Sequence, residues 1–129
     1  DIIRPGNDLT IAASGAMIVE AIKARQLLEN AGHSVEIIAI SSIKQFDQTI
    51  TASVQKTGKL ITVEDHNTFN GLGSQLIRHL TSKNIHPKQF KMIGVTEYQL
   101  SGTAEALYQA AGIDSAAIEK ICLEILKIV

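Results

Sequence analysis

Three consecutive residues with titratable side chains, Glu64, Asp65 and His66, are the strongest candidates for chemistry in this sequence. A carboxylate beside an imidazole can orient the ring or hold it charged, as general acid–base catalysis requires. The trio follows an apolar, β-branched run at residues 60–63 and should therefore lie on extended chain. Because neighbouring side chains on extended chain point in opposite directions, at most two of the three can share one pocket.

No other residues complete a catalytic set around this trio. The sequence offers no second carboxylate pair, no nucleophile with its base and no cysteine ligand beside it. His33, His79 and His86 are scattered over predicted loops and a helix face, which argues against a metal cluster. We therefore expect no catalytic, cofactor-binding or metal-binding residues in this chain. Fixing a loop, or contacting another subunit, is the favoured role for the trio.

Two glycine-containing turns are candidates for binding an anion: Ser14 with Gly15, and Gly71 with Gly73 and Ser74. Each precedes a predicted helix, whose free backbone N–H groups and dipole favour negative charge. The first turn is too short for a dinucleotide fingerprint, and the second lacks the Lys-Ser/Thr ending of a P-loop. The favoured structural alternatives are an N-cap in a tight turn at Ser14, and a sharp bend with close helix–strand approach at Gly73.

Strands and helices alternate along the chain. Apolar runs at residues 9–13, 35–40, 60–63 and 90–95 predict buried strands, and apolar spacing of about 3.6 residues predicts helices between and after them. Gly32 and Gly58 are each predicted to end a helix. Asp47 is predicted to begin one helix, and either Asp114 or Ser115 to begin the last. A further helix is predicted from Ser101 to Gly112.

This alternation predicts a three-layer α/β/α sandwich with a mostly parallel sheet of about five strands. Parallel strands end at the same edge of a sheet, which is where ligands and partners usually bind. We therefore expect four polar clusters to meet there: residues 14–15, 41–44, 64–67 and 96–98. The absence of a linker-like run or a second hydrophobic block predicts a single domain at residues 1–129.

Composition narrows the class of protein. A formal charge of −1 argues against a nucleic-acid or anionic-membrane partner, and no apolar run approaches the roughly 18 residues of a membrane span. The one cysteine, Cys122, falls at apolar spacing with Ile118 and Ile125 and should be buried. A lone cysteine and the lack of a signal pattern suit the cytoplasm. A first residue of Asp1 rather than methionine suggests a piece of a longer polypeptide.

Residues 60–66 (LITVEDH), with Gly71, Gly73 and Ser74 after them, resemble the C-terminal domain of transketolase. Residues 93–102 (IGVTEYQLSG) and 112–114 (GID) resemble it too, as does the opening strand and helix that lead into residues 35–38 (VEII). The resemblance runs in order along nearly the whole chain.

The resemblance implies a parent enzyme that uses thiamine diphosphate and a divalent metal (Mg or Ca) to move two-carbon ketol units between sugar phosphates. It implies cytoplasmic homodimers or split-subunit assemblies of the pentose phosphate pathway, with the cofactor held mainly by preceding thiamine-binding domains or a separate subunit. The family's metal and diphosphate motif, Gly-Asp-Gly followed by Asn-Asn, does not occur here. The chain should then be the C-terminal domain alone, inactive when isolated.

Other interpretations remain open from the sequence. The same type of domain occurs in deoxyxylulose-phosphate synthase and in the β-subunit of 2-oxo acid dehydrogenases, although the Glu-Asp-His ending and the Ser101-Gly102 pair favour transketolase. A regulatory module would hold a phosphate or carboxylate at the helix starts near Gly15 and Gly73. A free-standing hydrolase would use Glu64, Asp65 and His66.

Overall fold

The computed structural model describes residues 1–42, 45–67, 71–95 and 114–127, without the side chains of residues 66, 67 and 95. Strands and helices alternate after a short first strand. Their bounds are β1 (Ile2–Arg4), β2 (Leu9–Ala13), α1 (Met17–Asn30), β3 (Val35–Ala39), α2 (Gln48–Thr57), β4 (Lys59–Asn67), α3 (Leu72–Ser82), β5 (Gln89–Val95) and α4 (Ser115–Leu126). Every helix in the described ranges is too short or too polar to span a bilayer.

The strands form one five-stranded sheet in the order β1-β3-β2-β4-β5. The four strands from β2 to β5 are parallel, with Ile11 of β2 level with Ile37 of β3 on one side and Ile61 of β4 on the other. Only β1 runs antiparallel, beside β3 at one edge. This arrangement confirms the predicted α/β fold with a mostly parallel sheet of five strands.

Helices cover both faces of the sheet, and each face has its own hydrophobic core. On one face, α1 and α4 pack over Ile11, Ile37 and Ile61, and on the other, α2 and α3 pack over Ala12, Ile38 and Leu60. The alternation of odd and even residues between the two cores follows directly from the two-residue period of a strand. Strands covered on both faces are largely apolar, as the predicted runs are.

Local capping explains four of the eight boundaries of the described helices. The side chain of Asp47 accepts a hydrogen bond from the Thr49 N–H (2.9 Å), and that of Asp114 accepts one from the Ala117 N–H (3.0 Å). Gly32 and Gly58 follow α1 and α2 with φ of +92° and +72°, a left-handed conformation that glycine adopts without steric cost. The predicted starts at Asp47 and Asp114 and the predicted stops at these two glycines are confirmed.

The helix α2 is joined to the sheet by buried polar contacts. Glu36 on β3 is only 1% exposed, and its Oε1 accepts from Lys56 Nζ (2.7 Å) and from the Gly6 N–H (3.3 Å). The Thr10 hydroxyl on β2 forms hydrogen bonds with the hydroxyls of Ser53 (2.7 Å) and Thr57 (2.8 Å). These contacts replace part of the water that the buried polar groups lose, and they fix α2 on one patch of the sheet.

Burial acts against the charge of Glu36, but its partners outweigh that effect. Desolvation alone would raise the pKa of this carboxyl. Hydrogen bonding by Lys56, by the nearby Ser53 hydroxyl and by the Gly6 N–H, together with the positive charge of Lys56, holds the pKa below its ordinary value of 4.5. Glu36 is therefore ionised at neutral pH although it is buried.

The strands differ from the sequence predictions in two respects. First, β4 continues four residues beyond the predicted end at residue 63, so Glu64, Asp65 and His66 belong to the strand itself. Second, the sequence pattern does not predict β1, because three partly exposed residues carry no periodic signal. The predicted helix from Ser101 to Gly112 lies outside the described residues.

Cys122 on α4 is fully buried against the α1 side of the sheet, as its spacing predicted. Burial, with a smaller contribution from the charge of Glu119, raises the pKa of its thiol to about 12. Because the thiolate is the reactive form, this cysteine is a packing residue.

Candidate functional site at the strand ends

The carboxyl edge of the sheet contains a topological switch point between β2 and β4. The chain leaves β2 into α1 on one face, and leaves β4 towards α3 on the other. The Ser14 N–H donates to the Val63 carbonyl (3.2 Å), which ties the two strand ends together. In open parallel sheets, ligands bind in the crevice at such a point.

Two of the four predicted clusters are brought together at this switch point: Ser14 with Gly15, and the Glu64 end of β4. Ser41 and Ser42 follow the adjacent strand β3 and are exposed at the same edge. The rest of that cluster, residues 43–44, and the whole cluster at residues 96–98 lie outside the described residues.

The turn before α1 differs from its prediction in one respect. Gly15 has φ of +58°, and Ser14 accepts the Met17 N–H through its backbone carbonyl (3.2 Å), so the tight turn is confirmed. However, Ala16 is the N-cap residue, and no side chain caps this helix. The N-cap role predicted for Ser14 is therefore wrong, because the left-handed turn at Gly15 inserts two residues between Ser14 and the helix.

The start of α3 already holds an anion, and that anion is a side chain of the protein. The Glu64 carboxylate accepts hydrogen bonds from the Leu72 N–H through Oε1 (2.8 Å) and from the Gly73 N–H through Oε2 (2.9 Å). Glu64 is 1% exposed. Its negative charge faces the positive end of the helix dipole, which stabilises the buried carboxylate. An external anion would have to displace Glu64 from these groups.

At Gly73, α3 lies very close to the side chains of the sheet. A Cβ at this position would lie 2.5 Å from Met92 Cγ and 2.6 Å from Met92 Sδ and from Thr62 Oγ1. No side chain fits there without displacing β4 or β5 side chains. The interpretation of Gly73 as a residue that permits close helix–strand approach is confirmed, and this approach lets the Glu64 carboxylate reach the helix.

The remaining members of the titratable trio do not share the environment of Glu64. Asp65 is half-buried and follows Glu64 directly on β4. Because neighbouring side chains on a strand point to opposite faces, the side chain of Asp65 leaves the strand on the face opposite to Glu64. His66 also lies on β4, but its side chain is outside the described part of the structure. Glu64 bonds the start of α3 through both carboxylate oxygens and fixes the turn into that helix.

The described residues show no group that could hold a metal ion, and the start of α3 has no free N–H groups at Leu72 and Gly73 for a diphosphate. Among them, no three His, Cys, Asp or Glu side chains gather closely enough to hold a metal. The two N–H groups at the start of α3 that would suit a diphosphate are occupied by Glu64. These residues therefore do not fit thiamine diphosphate with its metal, and no catalytic step follows from them.

A groove that the sequence did not indicate lies between α2 and the end of α3. Its volume is about 600 Å³, and the rings of Phe46 and His79 meet in it with centroids 5.3 Å apart. Its other walls mix polar and apolar side chains, including Gln48, Gln55 and Lys83. None of the predicted site residues lines it. Such a groove has no sequence signature because it depends on how two helices pack.

Residues 1–118 match the family model of the transketolase C-terminal domain. The chain is 33% identical to one subunit of the apulose-4-phosphate transketolase of Phocaeicola vulgatus, over 95% of this chain and 39% of that protein. It is also 33% identical to a putative transketolase C-terminal section of Methanocaldococcus jannaschii, over 98% of this chain and 39% of that protein. The pyruvate dehydrogenase E1 β-subunit of Staphylococcus epidermidis is 36% identical over 66% of this chain and 26% of that protein.

Solved structures show the same architecture. A split-gene transketolase, described as an inactive beta4 tetramer, superposes with a TM-score of 0.89 and 26% identity over 99% of this chain and 42% of that one. Transketolase of Campylobacter jejuni has the same fold, with a TM-score of 0.69 and 17% identity over 95% of this chain and 18% of that one. The chain thus spans only about two fifths or less of the relatives it matches. It belongs to the transketolase C-terminal domain family.

Proposed function

We propose that this chain is the C-terminal domain of a transketolase, and that it supports the assembly of a thiamine diphosphate-dependent enzyme that transfers two-carbon ketol units between sugar phosphates. The observation that carries the proposal is how much of this chain aligns with two transketolase relatives. One subunit of a transketolase and a transketolase C-terminal section each align with 95% or more of this chain.

The strand-end edge supports a structural role for this domain within that enzyme. The Glu64 carboxylate at this edge is used to hold the start of α3, with both oxygens bonded to backbone N–H groups. The thiamine diphosphate and its divalent metal (Mg or Ca) would then be held by thiamine-binding domains or a separate polypeptide that accompany this chain. Ser14, Gly15, Asp65 and His66 remain candidates for contacts with that partner.

The partner proposed here is polypeptide rather than nucleic acid or membrane. The chain covers 39% of its two transketolase relatives, which leaves room in those proteins for the cofactor-binding domains. The parent enzyme is proposed to be a cytoplasmic homodimer or an assembly of split subunits. The inactive beta4 tetramer of a similar split-gene chain supports the proposal that this chain is inactive by itself.

A second candidate is a related thiamine diphosphate enzyme, either a 2-oxo acid dehydrogenase β-subunit or deoxyxylulose-phosphate synthase. Identity of 36% to pyruvate dehydrogenase E1 β-subunits favours the first of these. That similarity, however, extends over 66% of this chain, whereas the transketolase relatives extend over 95% and 98%. The longer match favours transketolase.

The first experiment tests the chain by itself. The purified 129-residue chain is titrated with thiamine diphosphate and Mg²⁺ in a calorimeter and is assayed for ketol transfer from a ketose phosphate to an aldose phosphate. We expect no binding heat and no turnover. Tight cofactor binding or turnover by the chain alone would contradict the proposal.

The second experiment adds the thiamine-binding polypeptide encoded with this chain. The complex is assayed with a ketose phosphate donor and, in parallel, with pyruvate and other 2-oxo acids. Transfer from the ketose phosphate alone is expected. Decarboxylation of a 2-oxo acid without ketol transfer would favour the second candidate instead.

A further inference from the structure

The two methionines of the chain differ sharply in exposure. Met17 on α1 is fully buried in the core, whereas Met92 on β5 is 37% exposed. Methionine sulfur is oxidised to the sulfoxide where oxidants reach it. Of the two, Met92 is therefore the methionine that we expect a dissolved peroxide to oxidise first, and Met17 is the buried internal standard.

The Met92 sulfur is next to two hydroxyl groups at the start of α3. The Ser74 hydroxyl lies 3.9 Å from Sδ. Thr62 Oγ1 and Met92 Sδ are each 2.6 Å from the same point, the position that a Cβ would have on Gly73. Two O–H donors and one thioether therefore converge where α3 crosses the sheet.

The Thr62 hydroxyl is unusual because it is fully buried and has no hydrogen-bond partner among the described residues. A buried polar group without a partner has lost its water and gained nothing in return, so it is destabilising. A thioether sulfur is a weak acceptor and does little to satisfy this O–H. A strong acceptor carried on the Met92 side chain would satisfy it.

We propose that Met92 is a reversible oxidation site, and that the Thr62 and Ser74 hydroxyls accommodate its sulfoxide. The flexible methionine side chain can turn the new oxygen towards these donors, since rotation about its three side-chain bonds is easy. Oxidation then converts the unsatisfied hydroxyl of Thr62 into a hydrogen-bond donor to the sulfoxide oxygen. The start of α3 tolerates both states.

The chemistry requires a peroxide as oxidant and is balanced with hydrogen peroxide. The Met92 sulfur attacks one peroxide oxygen, an S–O bond forms, the O–O bond breaks, and water leaves. The sulfur loses two electrons and the peroxide gains them. A thiol-dependent methionine sulfoxide reductase reverses the step, with two thiols oxidised to a disulfide and the oxygen released as water.

The first test follows oxidation of the folded chain by hydrogen peroxide, with peptide mass spectrometry at timed intervals. Met92 should be oxidised at least about tenfold faster than Met17, because oxidation of Met17 requires local opening of the core. In urea the two rates should converge. Equal rates in the folded chain would overturn the proposal.

The second test asks whether Thr62 recognises the sulfoxide. Thermal melting is compared before and after oxidation for the native chain, for Thr62→Val and for the control Thr81→Val, whose residue is exposed at the far end of α3. Oxidation should lower the Tm of Thr62→Val by about 3 °C or more beyond its effect on the native chain and on the control.

Equal Tm changes in all three proteins would overturn the role of Thr62 and with it the proposed accommodation. Met92→Leu should melt at the same temperature with or without peroxide treatment. A peroxide-induced shift that persists in Met92→Leu would place the effect at another residue and would also contradict the proposal.

Discussion

At the scale of single residues, Glu64 determines what the strand-end edge can do. Its carboxylate closes onto two backbone N–H groups of α3, at 2.8 and 2.9 Å, and is shielded from water. A carboxylate held in this way keeps a helix start in place. Residue type alone suggests chemistry at residues 64–66, whereas the contacts of Glu64 show a capping group.

Replacing Glu64 by alanine should lower the free energy of unfolding by about 2–4 kcal/mol, because both charge-assisted hydrogen bonds and their buried acceptor are lost. Glu64→Gln keeps one acceptor oxygen and should cost less. Urea denaturation measures both values. Glu124→Ala, which alters an exposed glutamate, is the control and should change stability little. A Glu64→Ala protein as stable as this control would show that the carboxylate does not hold α3.

Several of the residues that the sequence predicted correctly have local causes. Asp47, Gly32 and Gly58 act through contacts or dihedral angles within a few residues of themselves. The partners of Glu64 are only eight and nine residues away, but the contact depends on how closely α3 packs onto β4. That approach is set by the space at Gly73, which a pattern of residue types does not measure.

At the scale of elements, α2 shows how a helix with few buried residues is held to a sheet. Its apolar contribution is mainly Ile50 and Val54, and the rest of its contact is polar. The ion pair of Glu36 with Lys56 crosses from β3 to the helix, and Lys56 keeps part of its side chain in water. The buried carboxylate thus gives α2 a defined position that two aliphatic residues would not specify alone.

The contribution of Glu36 should depend on pH. Because the folded state lowers the pKa of this carboxyl below 4.5, its contribution to stability is complete above about pH 4.5 and is lost as the pH falls through the lowered value. At neutral pH, Glu36→Gln should reduce the free energy of unfolding by about 1–3 kcal/mol.

This prediction is checked by urea unfolding of the native chain and Glu36→Gln between pH 7 and pH 3. The difference between the two proteins should shrink steadily below pH 4.5. Glu124→Gln serves as the matched control for loss of an exposed carboxylate. A difference that stays constant over the whole range would contradict the assignment of Glu36 as the titrating group.

The sequence patterns missed segments that are strands because they pair with a neighbouring strand and not because of their own apolar residues. β1 has three residues, none of them buried, and exists because it pairs with β3, with Ile2 opposite Ile38. The polar end of β4 likewise remains a strand because Asn67 pairs with Val95 of β5. Hydrophobic periodicity reports burial and therefore does not detect paired segments at an edge.

At the scale of the whole molecule, the sheet separates two hydrophobic cores. Ile118 of α4 belongs to the core on the α1 side, and Ile50 of α2 belongs to the core on the α3 side. The two residues share no cluster, since the backbone of the sheet lies between them. Packing changes on one face should therefore have little effect on the other.

The variants Ile118→Val and Ile50→Val test this separation. Each should reduce the free energy of unfolding by about 0.5–1.5 kcal/mol, and their effects should add to within about 0.5 kcal/mol in the double variant. Ile11→Val with Ile37→Val is the comparison pair, because these residues are level on adjacent strands in one core. Coupling between Ile118 and Ile50 as large as in that pair would contradict two independent cores.

The whole-molecule fold was predictable because alternation of strands and helices is recorded along the entire sequence. The family was predictable from residues 60–74 and 93–114, where an unusual order of polar residues and glycines follows apolar runs. The activity of the parent enzyme stays a prediction, because the chain covers 39% of its transketolase relatives and the proposed cofactor partner is another part of the enzyme.

The buried thiol of Cys122 can report local opening of this fold. With its pKa raised to about 12 and its sulfur enclosed between α4 and the sheet, it reacts with alkylating agents only when that layer lifts away. The alkylation rate of the native chain therefore measures how often the α4 layer detaches. If a bound partner lowers the alkylation rate of Cys122, that partner stabilises the α4 side of the sheet.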